Sequence, residues 1–153
     1  DFFKAYNDTY GHQMGDDCLK RVTDSLKGVV KRPTDLIARY GGEKFAILLS
    51  RTEAGRAAAI AETLRASLEA LEIPHTNSQI SEQVTISLGI ATTVPKQNSS
   101  PAELITAADL ALYRAKDGGC NQVRIEVINE DLPPVFFNKQ NILKKSYYNG
   151  NYS

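Results

Sequence analysis

Apolar positions along the chain follow a helical period in three stretches. The first begins near Gly15, the second at Thr52 with Glu53, and the third at Pro101, since a proline suits the first position of a helix. In each stretch the apolar residues return every three or four positions, as in an amphipathic helix. The predicted inner faces are Cys18, Leu19, Val22, Leu26, Val29 and Val30; Ala57, Ile60, Ala61, Leu64, Leu68 and Leu71; and Leu104, Ala107, Ala108, Ala111, Leu112 and Ala115.

Short apolar runs between these stretches predict strands. Residues 35–40 and 43–50 are joined by a Gly-Gly pair (residues 41–42), which suits a type I′ hairpin because both tip residues then need positive φ. Residues 82–94 alternate apolar and polar positions, and residues 121–128 predict a last strand. This order of elements predicts an α/β (α+β) domain with a mostly antiparallel sheet and flanking helices.

Composition limits the classes of protein to which the chain can belong. Its 153 residues are 42% hydrophobic, which suits one globular domain with a real core. Eighteen basic and eighteen acidic residues balance, so neither nucleic acid nor a membrane surface is expected as a partner. The two cysteines form no disulfide framework, and neither a signal peptide nor a membrane-spanning run is recognisable. We therefore expect a reducing cytoplasm as the location.

The last part of the chain differs in composition. Residues 128–153 are rich in Asn, Lys and Tyr and contain a Pro-Pro pair, and their main apolar cluster is residues 135–137. Such a composition favours an irregular or disordered extension to a domain of residues 1–127. A docked terminal segment is the alternative.

Four motifs resemble those of one known family. Residues 1–19 match a D-x-F-K-x-x-N-D-x-x-G-H-x-x-G-D-x-x-L pattern at each fixed position, and residues 40–46 read RYGGEKF. The runs VTISLGIA (84–91) and AADLALYRAKDGG (107–119) follow in the expected order and spacing. Together these motifs resemble the GGDEF domain, the catalytic module of bacterial diguanylate cyclases, whereas a lone GG-E would carry little weight.

The resemblance implies a fold, a reaction and a set of ligands. The fold would be a ferredoxin-like palm related to those of adenylyl cyclases and polymerases, with its first central strand missing from this chain. Two domains would meet as a homodimer, each holding one GTP, and condense the nucleotides to cyclic di-GMP and two pyrophosphates. Mg²⁺ or Mn²⁺ would neutralise the triphosphate, and carboxylates would be its protein ligands. The module would work in the bacterial cytoplasm.

The same resemblance assigns substrate-binding residues. Asn7 and Asp16 match positions that bind guanine, and amide and carboxylate groups suit that base edge. The alternative is helix capping, the commonest use of both residue types. His12 would line the nucleotide site, although a histidine that packs in a turn is a second interpretation. Phe2 and Phe3 match positions whose backbone N–H groups face phosphate, with rings that pack in the core.

Two basic positions and one ion-pair motif complete the assignments. Lys4 and Lys116 match family lysines, and Lys116 resembles a clamp on the triphosphate; a cation that compensates a helix dipole is the alternative. Arg32 and Asp35 form R-x-x-D at the family spacing from the hairpin, which implies an inhibitory site for cyclic di-GMP. An ordinary exposed Arg and Asp at a helix-strand junction is the other interpretation.

Three departures from the family pattern bear on catalysis. Glu43 is an allowed metal-binding carboxylate, but Lys44 occupies a glutamate position, and strand alternation would send the two to opposite faces. Cys120 occupies an arginine position that helps to hold phosphate. Asp1 matches the second acid of a D-x-D motif, so the first acid, a principal metal ligand, would lie upstream of Asp1 and is absent.

These departures leave the activity open between three interpretations. The first is a catalytically impaired module that binds GTP or cyclic di-GMP. The second is an active diguanylate cyclase in a full-length form. The third is a remnant without a biochemical role. We predict the first, because the fold motifs and R-x-x-D remain while catalytic positions are lost.

Overall fold

The computed structural model describes residues 1–128 of the chain, and the predicted tail from residue 129 onwards lies outside them. Helices and short strands follow one another as a mixed α/β domain, which confirms the predicted fold class. In chain order the elements are α1 (Phe3–Tyr10), α2 (His12–Val29), β1 (Leu36–Gly41), β2 (Lys44–Leu48), α3 (Ala54–Glu69), β3 (Leu88–Thr92), α4 (Pro101–Asp117) and β4 (Val123–Val127).

The N-terminal helical region consists of two helices, where the sequence pattern predicted one. Gly11 separates α1 from α2 with φ 84°, a conformation that glycine adopts without steric cost. The Gly11 N–H donates to the Asn7 carbonyl at 2.8 Å, which closes α1. Helix α2 therefore starts at His12, three residues before the predicted start at Gly15.

The strands form two separate pairs, which corrects one detail of the predicted sheet. Strands β1 and β2 are antiparallel, but β3 and β4 are parallel and are not hydrogen-bonded to the first pair. The parallel pairing follows from α4, because a helix that crosses over between two strands brings the second back in the same direction. Strand β3 is also shorter than the predicted run of residues 82–94, since residues 84–87 are outside any strand ladder.

The hairpin tip lies one residue further along the chain than predicted. Gly41 pairs with Lys44, so the two tip residues are Gly42 and Glu43. Only Gly42 of this pair has a positive φ, of 54°, which rules out the predicted type I′ turn. The cause is a register shift between Arg39 and Gly41, which adds one residue to the first strand.

The core lies between helices and the two strand pairs. Its buried members come from α1, α2 and α3 and from the segment that precedes β3: Tyr6, Cys18, Val22, Leu26, Leu64, Leu68, Ile73 and Val84. Strand β3 touches α4 through Gly89, where an added Cβ would lie 2.2 Å from the Leu112 nitrogen. Backbone therefore meets backbone at this contact, and α4 is fixed against β3.

Candidate active site

The Asn7 side chain of α1 packs against α2 at Gly15, the residue before Asp16. The Asn7 side chain lies against Gly15, since a Cβ on Gly15 would be 1.9 Å from Asn7 Oδ1. Asp16 follows directly and is exposed. The Oδ1 atom of Asn7 is buried and has no hydrogen-bond partner among the described residues. A buried acceptor without a donor is costly and rare, so it indicates a place that a ligand donor can fill.

The structure contradicts the capping interpretation of both residues. Asn7 lies within α1 and Asp16 within α2, and neither helix has a side-chain hydrogen bond at its N-cap. The N-cap positions are Phe2 and Gly11. The two polar side chains are thus available for a role other than closing a helix end.

The first turn of α1 begins with a strained residue. Phe2 has φ 56° and ψ 35°, the left-handed conformation, which is an outlier for a bulky side chain. Such a residue costs on the order of 1–3 kcal/mol and persists only when its surroundings hold it. The ring of Phe3 stacks on Tyr6 with centroids 5.9 Å apart, and it packs against the core as expected. The N–H groups of a first helical turn have no intrahelical acceptor, so they can face phosphate.

The Asp1 carboxylate is held by three donors, a role that the sequence did not reveal. Its oxygens accept from Thr85 Oγ1 at 3.0 Å, from Ser87 Oγ at 2.7 Å and from the Asn121 N–H at 3.2 Å. The carboxylate therefore joins the start of α1 to the segment before β3 and to the turn after α4. The two hydroxyl residues belong to the VTISLGIA motif, which was the available signal.

Lys116 and Glu43 lie on different elements, but both affect the charge of the Asp1 amine. The Asp1 amine donates to the Thr85 carbonyl at 2.5 Å, and burial lowers its pKa to about 6. The positive charge of Lys116 lowers that pKa further, whereas the negative charge of Glu43 raises it. Both side chains are therefore within electrostatic range of Asp1, as are the thiols of Cys120 and Cys18, which raise its pKa more than Glu43 does.

Glu43 and Lys44 are presented in different ways. Glu43 is half-buried at the tip, whereas Lys44 is exposed at the start of β2. Along β2 the exposed positions are Lys44, Ala46 and Leu48, and the intervening Phe45 and Ile47 pack against the core. Strand alternation thus places Lys44 on the solvent face of the hairpin, away from the core side.

The described residues do not form a complete metal site. Across residues 1–128, no three His, Cys, Asp or Glu side chains are placed to hold one ion. Glu43 offers one carboxylate, and the Asp1 carboxylate is already occupied by its three donors. Mg²⁺ in phosphate-binding sites needs one or two free carboxylates besides substrate oxygens. Glu43 supplies one carboxylate, which is the lower end of this range.

Cys120 is a buried thiol just after the end of α4. It is 6% exposed, and its Sγ contacts the Lys116 carbonyl at 3.6 Å. It thus packs behind the last turn of α4 and cannot take the place of a phosphate-binding cation, while Lys116 itself is half-buried.

His12 and Lys4 are both exposed, so the turn-packing interpretation of His12 is wrong.

Arg32 and Asp35 form a forked ion pair apart from these residues. Arg32 Nε and Nη2 donate to the Asp35 carboxylate at 2.8 and 2.9 Å, and Nη2 also donates to the Ser50 carbonyl and to Thr52 Oγ1. The Asp35 side chain is 3% exposed and the Arg32 side chain 38%. The hydrogen bond from Arg32 lowers the pKa of Asp35, and the Ser50 N–H adds to that effect. The pair links the start of β1 to the end of β2.

Comparison with known proteins points to one family. The family model described as "Diguanylate cyclase, GGDEF domain" matches residues 1–122. A probable diguanylate cyclase of Escherichia coli, DgcT, is 42% identical over 84% of this chain, and diguanylate cyclase A of Treponema denticola is 40% identical over 84%. These matches cover 28% and 34% of the relatives' own lengths, so the chain spans about a third of each.

Solved structures with the same fold include nucleotide complexes. The GGDEF domain of DgcB from Caulobacter crescentus, in complex with cyclic di-GMP, matches with a TM-score of 0.71 and 35% identity over 82% of this chain and 72% of that one. The active GGEEF domain of a diguanylate cyclase from Vibrio cholerae matches with a TM-score of 0.66 and 28% identity over 80% and 75%. Across residues 1–128, each helix is too short or too polar to span a bilayer.

Proposed function

Because the chain belongs to the GGDEF domain family of diguanylate cyclases, we propose that it binds guanine nucleotides within cyclic di-GMP signalling and has little cyclase activity of its own. The family is generally dependent on a divalent metal. GTP is the proposed substrate-like ligand, and cyclic di-GMP, which is bound by a similar solved domain, is the proposed product-like ligand.

The observation that carries this proposal is the orphaned Asn7 Oδ1. Guanine presents an N1–H and an amino group on one edge, and both are donors that a buried amide oxygen lacks here. Asp16, exposed on the next helix beside Gly15, supplies a second acceptor for the same edge. The two acceptors together favour guanine over adenine, which has no pair of adjacent donors on that edge.

Phosphate binding is assigned to the start of α1 and to Lys116. First-turn N–H groups and a nearby ammonium group both stabilise negative charge. Lys116 lies within electrostatic range of Asp1, next to that first turn. Turnover is a different matter, because no three His, Cys, Asp or Glu side chains among residues 1–128 are placed to hold one ion, and Cys120 is buried. We therefore expect this chain to bind nucleotide but to turn it over little.

Titration calorimetry with GTP and ATP tests the proposal. We expect GTP to bind more tightly than ATP and Asn7→Ala to weaken GTP binding about tenfold, the value of one lost hydrogen bond. Asp17→Ala is the control, because Asp17 is an exposed side chain of α2 next to Asp16 that pairs with Lys20. Equal affinity for GTP and ATP, or unchanged binding by Asn7→Ala, would overturn the guanine site.

Product binding is proposed at Arg32 and Asp35. Arg32 is partly exposed, and its Nη1 makes no contact with the described residues, so this nitrogen can donate to a phosphate or a guanine edge. Asp35 is buried by its own ion pair, so Arg32 would make the main contact. We expect Arg32→Ala to weaken cyclic di-GMP binding roughly ten- to a hundredfold. Equal affinities of the parent chain and Arg32→Ala for cyclic di-GMP would mean that the pair has a structural role only.

An active cyclase is the second candidate, and the position of Lys44 favours it. The lysine lies on the exposed face of β2, so it makes no packing contact with the core that would fix its charge beside Glu43. In a homodimer of a longer chain, an upstream carboxylate could then complete the metal site beside Glu43. Conversion of GTP with Mg²⁺ or Mn²⁺ decides between the candidates, since robust cyclic di-GMP production by residues 1–153 would establish the enzyme.

A further inference from the structure

A tripeptide that is far from α1 in the sequence contacts this helix along its whole length. We define the clasp as His75, Thr76 and Asn77, in the loop between α3 and β3. His75 Nε2 lies 3.1 Å from the carbonyl oxygen of Phe2, at the start of α1. Asn77 Nδ2 donates to Thr9 Oγ1 at 2.8 Å, near its end. The clasp therefore contacts both ends of the helix.

The middle and the last residue of α1 meet the clasp as well. The imidazole of His75 packs edge-on against the ring of Tyr6, with centroids 5.3 Å apart. The Tyr10 hydroxyl accepts from the Thr76 N–H at 3.1 Å and lies 3.1 Å from Thr76 Oγ1. These contacts fix the rotation and the axial position of α1 against the core.

His75 is the central residue of this arrangement. It is 1% exposed, and burial lowers its pKa, so the ring is neutral. A neutral ring whose Nε2 faces a carbonyl oxygen carries its proton on Nε2 and donates it. The Phe2 carbonyl also accepts from the Tyr6 N–H at 3.1 Å, the first hydrogen bond of α1. Both donors hold Phe2 in its left-handed conformation.

We propose that the clasp positions α1 for nucleotide binding, with His75 as the positioning residue that sets the Phe2 backbone and, through the helix, the Asn7 amide. The proposal rests on the proposed function, since Asn7 and the first turn of α1 are the elements assigned to guanine and phosphate. It adds that affinity for GTP depends on a side chain that does not touch the ligand. Such a residue acts by keeping the site preorganised.

The test compares three variants at position 75 and in the clasp by GTP titration. His75→Leu removes the donor at similar volume, His75→Gln restores an N–H donor, and Asn77→Ala removes a surface contact that the fold does not need. We expect His75→Leu to weaken GTP binding about tenfold, Asn77→Ala to weaken it two- to threefold, and His75→Gln to recover most of the loss. Ser78→Ala is the matched control, because Ser78 Oγ accepts from Ile80 and Ser81 within the loop.

Hydrogen exchange of the Tyr6 N–H in the ligand-free chain supplies a second readout. We expect faster exchange in His75→Leu than in the parent chain, and recovery in His75→Gln. Unchanged exchange, or a Ser78→Ala effect as large as that of His75→Leu, would overturn the positioning role. Equal GTP affinity in the parent chain, in His75→Leu and in Asn77→Ala would overturn the positioning role and leave the proposed function intact. Absence of GTP binding by the parent chain would instead overturn the proposed function and this role with it.

Discussion

Glu43 and Lys44 are neighbours in the sequence but are presented in opposite ways by the hairpin. Glu43 lies at the half-buried tip within electrostatic range of the Asp1 amine, whereas Lys44 is exposed on the outer face of β2. The lysine that occupies the family's glutamate position therefore lies on the solvent face of β2.

Replacing Lys44 with glutamate should therefore restore little cyclase activity. We expect Lys44→Glu to leave GTP affinity within about twofold and cyclic di-GMP production at the parent level, because the side chain points into solvent. The comparison variant is Glu43→Gln, which we expect to weaken metal-dependent GTP binding, since it removes the carboxylate at the hairpin tip. The assay is nucleotide titration and product formation with Mg²⁺. A large gain of turnover in Lys44→Glu would show that the charge reaches the site.

Gly15 provides the space for the Asn7 amide, so its replacement should disturb the guanine site. In Gly15→Ala the new Cβ would overlap Asn7 Oδ1, the end of a side chain that can move aside, so we expect weaker GTP binding with a stability loss below the roughly 1–3 kcal/mol of overpacking. Gly28→Ala is the control in the same helix, because its Cβ meets no atom within 4 Å. That variant should be more stable than the parent by about 0.5–1 kcal/mol. Urea unfolding and titration measure both quantities, and tight GTP binding by Gly15→Ala would contradict the assigned contact.

Gly89 should tolerate no side chain at all. A Cβ there would lie 2.2 Å from the Leu112 nitrogen and 2.3 Å from the Ala108 carbonyl oxygen, and backbone atoms cannot move aside as a flexible side chain can. We expect Gly89→Ala to cost about 3 kcal/mol or more, at the upper end for overpacking. Gly55→Ala, at an open position of α3, should leave the thermal midpoint within a few degrees. A normal midpoint for Gly89→Ala would show that β3 and α4 can separate.

The Arg32–Asp35 pair should make stability depend on pH. Because the hydrogen bond from Arg32 lowers the pKa of Asp35 in the folded state, its contribution is present above the unfolded carboxyl value of about 3.9 and is lost as pH falls through the lowered folded value. We expect Arg32→Ala to be less stable than the parent at pH 7 and the difference to shrink at pH 2–3. Urea unfolding at both values measures it. Lys20→Ala, which breaks the exposed pair with Asp17, should show no such dependence.

Local pattern was enough for the long helices but not for the N-terminal one. Helices α3 and α4 begin within two residues of the positions that Thr52 and Pro101 indicated, because each has many periodic residues and a start signal. Helix α1 has only eight residues and a polar outer face, so its few apolar positions gave no helical period and no helix was predicted before Gly15. Gly11 was the available sign of the break.

The pattern of apolar and polar residues did not predict features that depend on contacts between distant residues. The hairpin tip was displaced because a register shift at Tyr40 is decided by the pairing of two strands and not by their composition. The three donors to the Asp1 carboxylate come from segments more than eighty residues away, such as Thr85. In contrast, alternation along β2 did give the correct face for Lys44, since that property is local.

The separation of the strands into two pairs has a consequence for folding kinetics. The β1–β2 pair closes through the tip residues Gly42 and Glu43, whereas β3 and β4 can pair only after the whole of α4 has crossed between them. Short loops close faster than long ones, so we expect the hairpin to gain protection first. In pulse-labelled refolding, the Ala46 amide should be protected before the Ile125 amide, and simultaneous protection would contradict this order. Early folding would then present the Glu43 tip before β3, α4 and β4 have assembled.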